Sequence, residues 1–152
     1  VGKLKDGPER ELFERYWERL EALGRRISLG PCALIEIAES RASNAPTRCD
    51  EEAQRLLAKA GDGRIILLDE RGKSLNSDAF AKEIRRLRDG GLASLVLAIG
   101  GPDGHGTPIR DRASDVISLG AMTMPHGLAR VVLAEQLYRA ATIIAGHPYH
   151  RV

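Results

Sequence analysis

The chain has 152 residues, of which 43% are hydrophobic, and its formal net charge at pH 7 is +2. This length fits one ordinary domain with a real core, and so small a charge argues against binding long duplex nucleic acid through charge alone. The two cysteines, Cys32 and Cys49, lack CxxC spacing, and no apolar run reaches the length of a membrane span. We therefore expect a cytoplasmic chain with ordinary thiols and no membrane association.

The first predicted elements are the end of a strand and an amphipathic helix. Residues 1–3 resemble the end of a strand whose beginning would precede Val1. A helix is predicted to open at Pro8 and to run to about Leu23. Phe13 and Trp17 recur on this helix at helical spacing, which is typical of core residues rather than of aromatic rings that stack on bases.

A strand, a polar loop and a second helix follow. Residues 33–37 are predicted to form a strand, and the composition of residues 41–50 is that of a mobile loop. Arg41 and Arg48 on this loop could contact phosphates, although a solvated connector is the simpler interpretation. Asp50 is predicted to cap a helix that ends at Ala60.

The remaining elements alternate between strands and helices. We predict strands at residues 64–69 and 92–99, a helix between them at 77–88, a short helix near Ile109, and a third strand before the last helix. The continuous apolar run 92–99 is typical of a strand that is buried on both faces of a parallel sheet. The chain is therefore predicted to be an α/β protein in which Leu68 lies near the carboxyl end of a strand, where open sheets bind ligands.

A glycine-rich loop follows the strand 92–99. Gly100, Gly101, Gly104 and Gly106 allow close approach of backbone N–H groups to a ligand, which would make residues 100–106 a cradle. The spacing is neither the dinucleotide fingerprint nor a P-loop. A turn that merely needs positive φ angles is an equally good interpretation.

The last predicted helix is long and apolar. Thr123 is its predicted cap, Pro125 suits its first turn, and Gly146 is predicted to close it after Ala145. Its only polar strip is formed by Glu135, Arg139 and Thr142.

A helix that is apolar nearly all round must be buried on more than one side. We expect a second copy of the chain to cover it, so that the protein is a homodimer. The alternative is a central helix in a monomeric core.

Three strings of the sequence resemble one known family. They are AIGGPDG, SLGAMTMPHGLARVVLAEQLYRA and the terminal HPYHR. The combination is similar to the bacterial 23S ribosomal RNA pseudouridine N3-methyltransferases of the SPOUT class, and the resemblance covers almost the whole chain.

The resemblance implies a fold and a function. The fold would be one SPOUT domain over residues 1–152, truncated in its first strand, with helices flanking its sheet and a C-terminal trefoil knot. The function would be methyl transfer from S-adenosylmethionine to N3 of a pseudouridine in 23S ribosomal RNA, performed by a homodimer on the assembled ribosome. A ribosome-associated RNA-binding module that retains the fold without the catalysis is the alternative.

The resemblance also implies the residues that would bind the cofactor. They are Leu68, Gly100, Gly101, Gly120, Ala121, Met122, Thr123, Met124 and Pro125. An apolar slot around Leu68 and the methionines suits adenine. The lack of Lys and Arg in this set suits a sulfonium, which is already positively charged.

The acceptor residues are expected in the tail of the chain. Loss of the N3 proton at pH 7 costs roughly 3 to 4 kcal/mol, and one preorganised electrostatic group contributes about 3 kcal/mol. We expect His150 or Arg151 to stabilise the anionic ring, with Tyr149 stacked or hydrogen-bonded beside it. His147 would complete the substrate contacts, and Glu135 is the second candidate for a base.

Two other interpretations of the tail remain. The spacing of His147 and His150 suits a zinc site that His105 and His126 could complete, but no cysteine lies beside them and we expect no metal. On residues alone, a frayed terminus is the simpler interpretation.

Overall fold

The computed structural model describes residues 1–150, which form five α-helices, three strands and one 3-10 turn. In chain order they are α1 Pro8–Gly24, the turn Arg25–Ile27, α2 Ala45–Ala60, β1 Arg64–Ser74, α3 Ser77–Asp89, β2 Leu95–Ile99, α4 Thr107–Arg112, β3 Asp115–Ser118 and α5 His126–Ala145.

These elements divide between two compact units. The sheet unit comprises Val1–Lys3, Ile35–Ser74 and Ala93–His126, and therefore contains all three strands together with α2 and α4. The helix unit comprises Leu4–Leu34, Leu75–Leu92 and the described residues from Gly127 to His150, and therefore contains α1, α3 and nearly all of α5.

The three strands form a parallel sheet in the order β2-β1-β3, which confirms the predicted α/β class. After Leu68 the central strand β1 bulges, so that both Leu68 and Lys73 lie opposite Ile117 of β3. A Cβ atom on Gly72 would lie 2.5 Å from the backbone carbon of Ile117, so that only glycine fits in the bulge. The knot that the family resemblance implies stays a prediction.

Strand β1, rather than β2, is the strand that is buried on both faces. Ile65 and Leu67 on one face are 0% exposed, and Ile66 and Leu68 on the other are 2% and 8% exposed. The first pair belongs to a core cluster with side chains of α2, β2 and α4. The predicted strand is confirmed as β2 of the parallel sheet, ending at Ile99. Its predicted start and its burial on both faces were wrong, because β2 begins only at Leu95 and is a half-buried edge strand of the described sheet.

Two predictions for residues 33–50 were also wrong. Residues 33–37 form no strand. The described sheet consists of β1, β2 and β3 only, and Leu34 and Ile35 are exposed to solvent rather than buried. Helix α2 begins at Ala45, because the Asn44 side chain accepts a hydrogen bond from the Thr47 N–H at 2.9 Å. Asp50 therefore lies inside the helix, and the predicted loop is shorter than expected.

The helix unit has its own apolar core. Phe13 and Trp17 of α1 stack at 5.3 Å and pack in a cluster with Val131 of α5, which confirms that they are core residues. Helix α5 ends as predicted, since Gly146 has φ +68° and the His147 N–H donates to the Thr142 carbonyl. Among residues 1–150, no helix combines the length and the apolar character needed to span a membrane.

Candidate functional site

The three chain segments with predicted cofactor residues meet at one edge of the sheet. Leu68 pairs with Ile99, the last residue of β2, and also with Ile117 of β3. Gly100 and Gly101 follow directly after β2, and residues 119–125 follow β3. The carboxyl edge of a parallel sheet is where open α/β folds bind ligands, so the backbone brings these segments to a suitable place. We call this edge the donor edge.

The glycines of the loop 100–106 are explained by contacts within the protein. Gly104 has φ +87°, which favours glycine. A Cβ on Gly100 would lie 2.7 Å from the Gly104 carbonyl oxygen, and one on Gly101 would lie 2.6 Å from a Glu52 carboxylate oxygen. A positive φ angle explains Gly104 alone, whereas close packing explains Gly100 and Gly101. These glycines are therefore accounted for without a ligand, and the cradle stays a prediction.

The segment after β3 is more open. Gly120 has φ +150°, and no atom lies within 4 Å of a Cβ placed there. The Ser118 hydroxyl holds the turn by donating to the Gly120 carbonyl at 2.8 Å. Thr123 was predicted to cap the last helix, but α5 begins at His126 and the Thr123 hydroxyl donates to Glu70 at 3.1 Å.

The apolar slot that was predicted around Leu68 is not enclosed. Leu68 is buried, whereas Met122 is 85% exposed and Met124 is half-buried. Ala121 and Pro125 are exposed as well. The segment 120–125 therefore presents an open surface at the donor edge.

His105 is a residue of the donor edge that the sequence suggested only as a metal ligand. It is 8% exposed, and its Nε2 lies 3.0 Å from the Leu68 carbonyl oxygen. Nε2 must donate this bond, and in the neutral imidazole Nδ1 is then an acceptor, which is buried and has no partner within residues 1–150. Burial lowers the pKa of His105, and the nearby Arg110 lowers it further. The sequence could have predicted this location, because His105 belongs to the loop that follows β2.

Arg110 fixes the same edge by ion pairing. Its Nε donates to the His105 carbonyl at 3.0 Å, and its Nη2 lies 2.5 Å from Asp69 Oδ2. Burial raises the pKa of Asp69, but hydrogen bonds from the Arg71 backbone and from Arg110 outweigh burial and hold this pKa below its usual value. Asp69 is therefore a fixed anion at the start of the β1 bulge, directly after Leu68.

The predicted acceptor residues are organised around Glu135 in the helix unit. Glu135 Oε1 accepts hydrogen bonds from the Tyr149 hydroxyl at 3.1 Å and from Arg139, and Oε2 accepts one from Gln136 at 2.7 Å. Burial raises the pKa of Tyr149, as do its hydrogen bonds with Tyr16 and Glu135. The hydrogen bond with Glu135 raises the pKa of Arg139.

The tail is docked as far as His150, so the frayed-terminus interpretation is wrong for these residues. The Tyr149 ring packs 4.8 Å from the Tyr138 ring, with the Arg139 guanidinium 5.0 Å from its centre. His150 lies 3.4 Å from Arg139 through Nδ1 and 3.5 Å from Asp78 through Nε2. We call these side chains, together with Glu135, the tail network.

Of the described tail residues, His147 lies apart from this network. His147 is exposed, and its Nδ1 accepts a hydrogen bond from the Tyr149 N–H at 3.2 Å. Arg151 lies outside the described residues. Within residues 1–150, no three His, Cys, Asp or Glu side chains are grouped in a way that could hold a metal ion.

Comparison with known proteins identifies the class. Residues 1–150 match the family model described as "Predicted SPOUT methyltransferase", so the chain belongs to the SPOUT methyltransferase family. This confirms the resemblance and makes the chain an enzyme that uses a methyl donor.

The relatives are similar over nearly their full length. A Brucella anthropi protein and a Mesorhizobium japonicum protein are each 55% identical over 152 residues, which is 99% of this chain and 95% of the relative. A Brucella abortus protein is 51% identical over 161 residues, with the same coverage. All three are named ribosomal RNA large subunit methyltransferase H.

Proposed function

We propose that this chain transfers a methyl group from S-adenosylmethionine to N3 of a pseudouridine in 23S ribosomal RNA. The observation that carries the proposal is the convergence of residues 68, 100–101 and 120–125 at the donor edge of a SPOUT family member. The names of the relatives, which specify ribosomal RNA of the large subunit, support the substrate class. The resemblance carried by the MTMPH and HPYHR strings supports the choice of N3.

The donor edge suits S-adenosylmethionine, whose sulfonium makes its methyl group electrophilic. Leu68 would provide an apolar wall for the cofactor. Gly100 and Gly101 would offer backbone N–H and C=O groups, and the open space beside Gly120 would admit the ligand. None of the nine proposed cofactor residues is Lys or Arg, so none of them opposes a sulfonium. The buried Nδ1 of His105, which has no partner within residues 1–150, supports a polar contact near Leu68.

The tail network suits the pseudouridine ring that accepts the methyl group. The raised pKa of Tyr149 keeps its phenol protonated near neutrality, so we propose that it stacks on the ring or hydrogen-bonds beside it and does not act as a base. His150 and Arg151 are proposed to stabilise the ring as it loses its N3 proton, and His147 to contact the RNA beside it. Both oxygens of Glu135 are already occupied, which favours a positioning role over that of a base.

The assembly is part of the same proposal. The apolar circumference of α5 supports a homodimer, and the net charge of +2 supports recognition of an assembled ribosomal surface over free RNA. We propose a cytoplasmic enzyme in which residues 1–152 act as one functional domain. Light scattering at micromolar concentration tests the dimer, and a monomeric mass would contradict it.

Two measurements test the activity. Calorimetry of the full chain with S-adenosylmethionine should give micromolar binding, and absence of binding would favour the non-catalytic module. Mass mapping of nucleosides in ribosomal RNA, from cells with and without the protein, should show one methylated pseudouridine that depends on it. An unchanged map would refute the proposed reaction.

A further inference from the structure

The loop 100–106 at the donor edge is folded tightly on itself. The Gly104 N–H donates to the Gly101 carbonyl at 2.9 Å, and these two residues form an isolated antiparallel bridge. Gly100 packs against the backbone of Gly104, as described above. The loop therefore has a defined shape, and a neighbouring element that holds its tip would control that shape.

Helix α2 is the element that contacts the loop at both of its ends. A Cβ on Gly101 would lie 2.6 Å from Glu52 Oε2, and a Cβ on Gly106 would lie 2.5 Å from the Cys49 carbonyl oxygen. Glu52 is only 4% exposed, and its Oε1 accepts a hydrogen bond from the Ser40 N–H at 2.8 Å. The loop thus lies directly against a fixed surface, with no side chain of its own between them.

Arg48 joins this helix to the tip of the loop. Its Nε donates to Asp103 Oδ2 at 2.7 Å, and its Nη1 donates to the Ala42 carbonyl at 3.0 Å. The Cys49 thiol donates to the Asp103 carbonyl at 3.4 Å. One guanidinium therefore ties together the segment before α2, the helix itself and the loop tip.

The ion pair is better suited to positioning than to stabilising the fold. The side chains of Arg48 and Asp103 are 29% and 30% exposed, and pairs this accessible to solvent contribute little to unfolding free energy. Arg48 lowers the pKa of Asp103, so the pair stays charged near neutrality. The alternative in which Arg48 contacts phosphates is not favoured, because its guanidinium binds Asp103 and the Ala42 carbonyl.

We propose that Arg48 and Asp103 are positioning residues for the methyl donor, acting through the shape of the loop 100–106. The inference rests on the proposed function, because it needs the donor to bind beside Gly100 and Gly101. Neither side chain is proposed to touch the donor. Loss of the pair would let the loop tip move and would weaken donor binding, without removing any group that takes part in methyl transfer.

The test is a double-mutant cycle on donor affinity. Calorimetry of the full chain with S-adenosylmethionine should give a Kd about fivefold higher for Arg48→Ala and for Asp103→Ala. This factor corresponds to the free energy that one exposed ion pair contributes at most. The double variant should bind no more weakly than either single variant, since both remove the same interaction. Arg48→Lys should recover part of the affinity, because its ammonium reaches Asp103 but does not bridge to Ala42.

Arg55→Ala is the matched control on the same helix. Arg55 pairs with Glu51 at 3.3 Å and donates to the Ala38 carbonyl at 2.8 Å. Its removal should change the thermal midpoint as much as Arg48→Ala does but leave the donor Kd unchanged. In methyl transfer to ribosomes from cells that lack the enzyme, Arg48→Ala should raise KM for the donor and keep kcat.

The outcomes separate the two proposals. Unchanged donor affinity in both single variants, or additive losses in the double variant, would overturn the positioning role while the proposed function stands. A loss of kcat at saturating donor would also overturn it. A wild-type chain that binds no S-adenosylmethionine would refute the proposed function, and the inference with it.

Discussion

The donor edge and the tail network are built in different ways. The donor edge is defined by backbone: strand ends in register, turns at Gly104 and Gly120, and close packing against Gly100 and Gly101. The tail network is defined by side chains that bond to Glu135 or pack on Tyr149. Substitutions that leave the backbone alone should therefore affect the second far more than the first.

Removal of residues 149–152 should produce the largest difference between the two sites. The truncation deletes Tyr149, His150 and Arg151 together, and loss of even one preorganised electrostatic group costs about 100-fold in turnover. We expect methyl transfer to fall at least about 100-fold while the affinity for S-adenosylmethionine is retained. Single-turnover methylation and calorimetry on the same preparation measure the two effects. Full turnover in the truncated chain would show that the acceptor binds elsewhere.

Glu135→Gln should have the next largest effect. The glutamine can still accept from Tyr149, but the charged bond to Arg139 is lost, which we expect to lower turnover about tenfold. A general base would give a larger loss, of roughly 100-fold to 10,000-fold. The pH–rate profile provides the independent criterion. If the acidic limb of the profile disappears in the variant, Glu135 is the base and the positioning role is wrong.

The sequence predicts the backbone of the molecule better than its side-chain networks. From α2 onward, the order of strands and helices and the end of α5 at Gly146 follow from local signals, since they depend on periodicity, caps and glycine. The start of α2 differs from the prediction because Asn44 competes with Asp50 as a cap. The location of the buried strand differs because burial depends on sheet order, which no local pattern specifies.

The side-chain networks depend on contacts that are distant in sequence. Arg48 meets Asp103 across 55 positions, Arg110 meets Asp69 across 41, and His105 meets Leu68 across 37. Spacing along the chain carries no information about such pairs. The tail network is partly an exception, because Glu135 and Arg139 lie one helical turn apart and are recognisable as one polar strip.

Gly120→Ala tests the backbone character of the donor edge, with Gly146→Ala as its matched control. Both glycines have positive φ and open space where an alanine methyl group would lie, so both alanines should cost about 1 kcal/mol of stability through backbone strain. Only Gly120→Ala should also raise the donor Kd, by about fivefold, because its methyl group fills space at the donor edge. Chemical denaturation and calorimetry measure the two effects. Equal donor affinity in the two variants would remove Gly120 from the site.

The smallest expected effect is the contribution of His105, at the donor edge, to the pH dependence of stability. Burial lowers the pKa of His105 in the folded state, and Arg110 adds to this, while the ordinary value in the unfolded chain is about 6.5. The unfolded state therefore binds the proton first as the pH falls. Stability should be fully present above pH 6.5 and should decline from there towards the folded-state pKa.

His105→Gln separates this group from the other groups that titrate at the donor edge. The glutamine can still donate to the Leu68 carbonyl but does not titrate, so the unfolding midpoint should vary less with pH between 6.5 and 5. Asp69 and Arg110 face the same imidazole, and the lowered pKa of Asp69 means that its contribution to stability is lost only below about pH 4. Parallel curves for wild type and variant over this window would show that His105 takes up no proton on unfolding. The unpartnered Nδ1 would then require an explanation other than a buried imidazole that is neutral because its pKa is lowered.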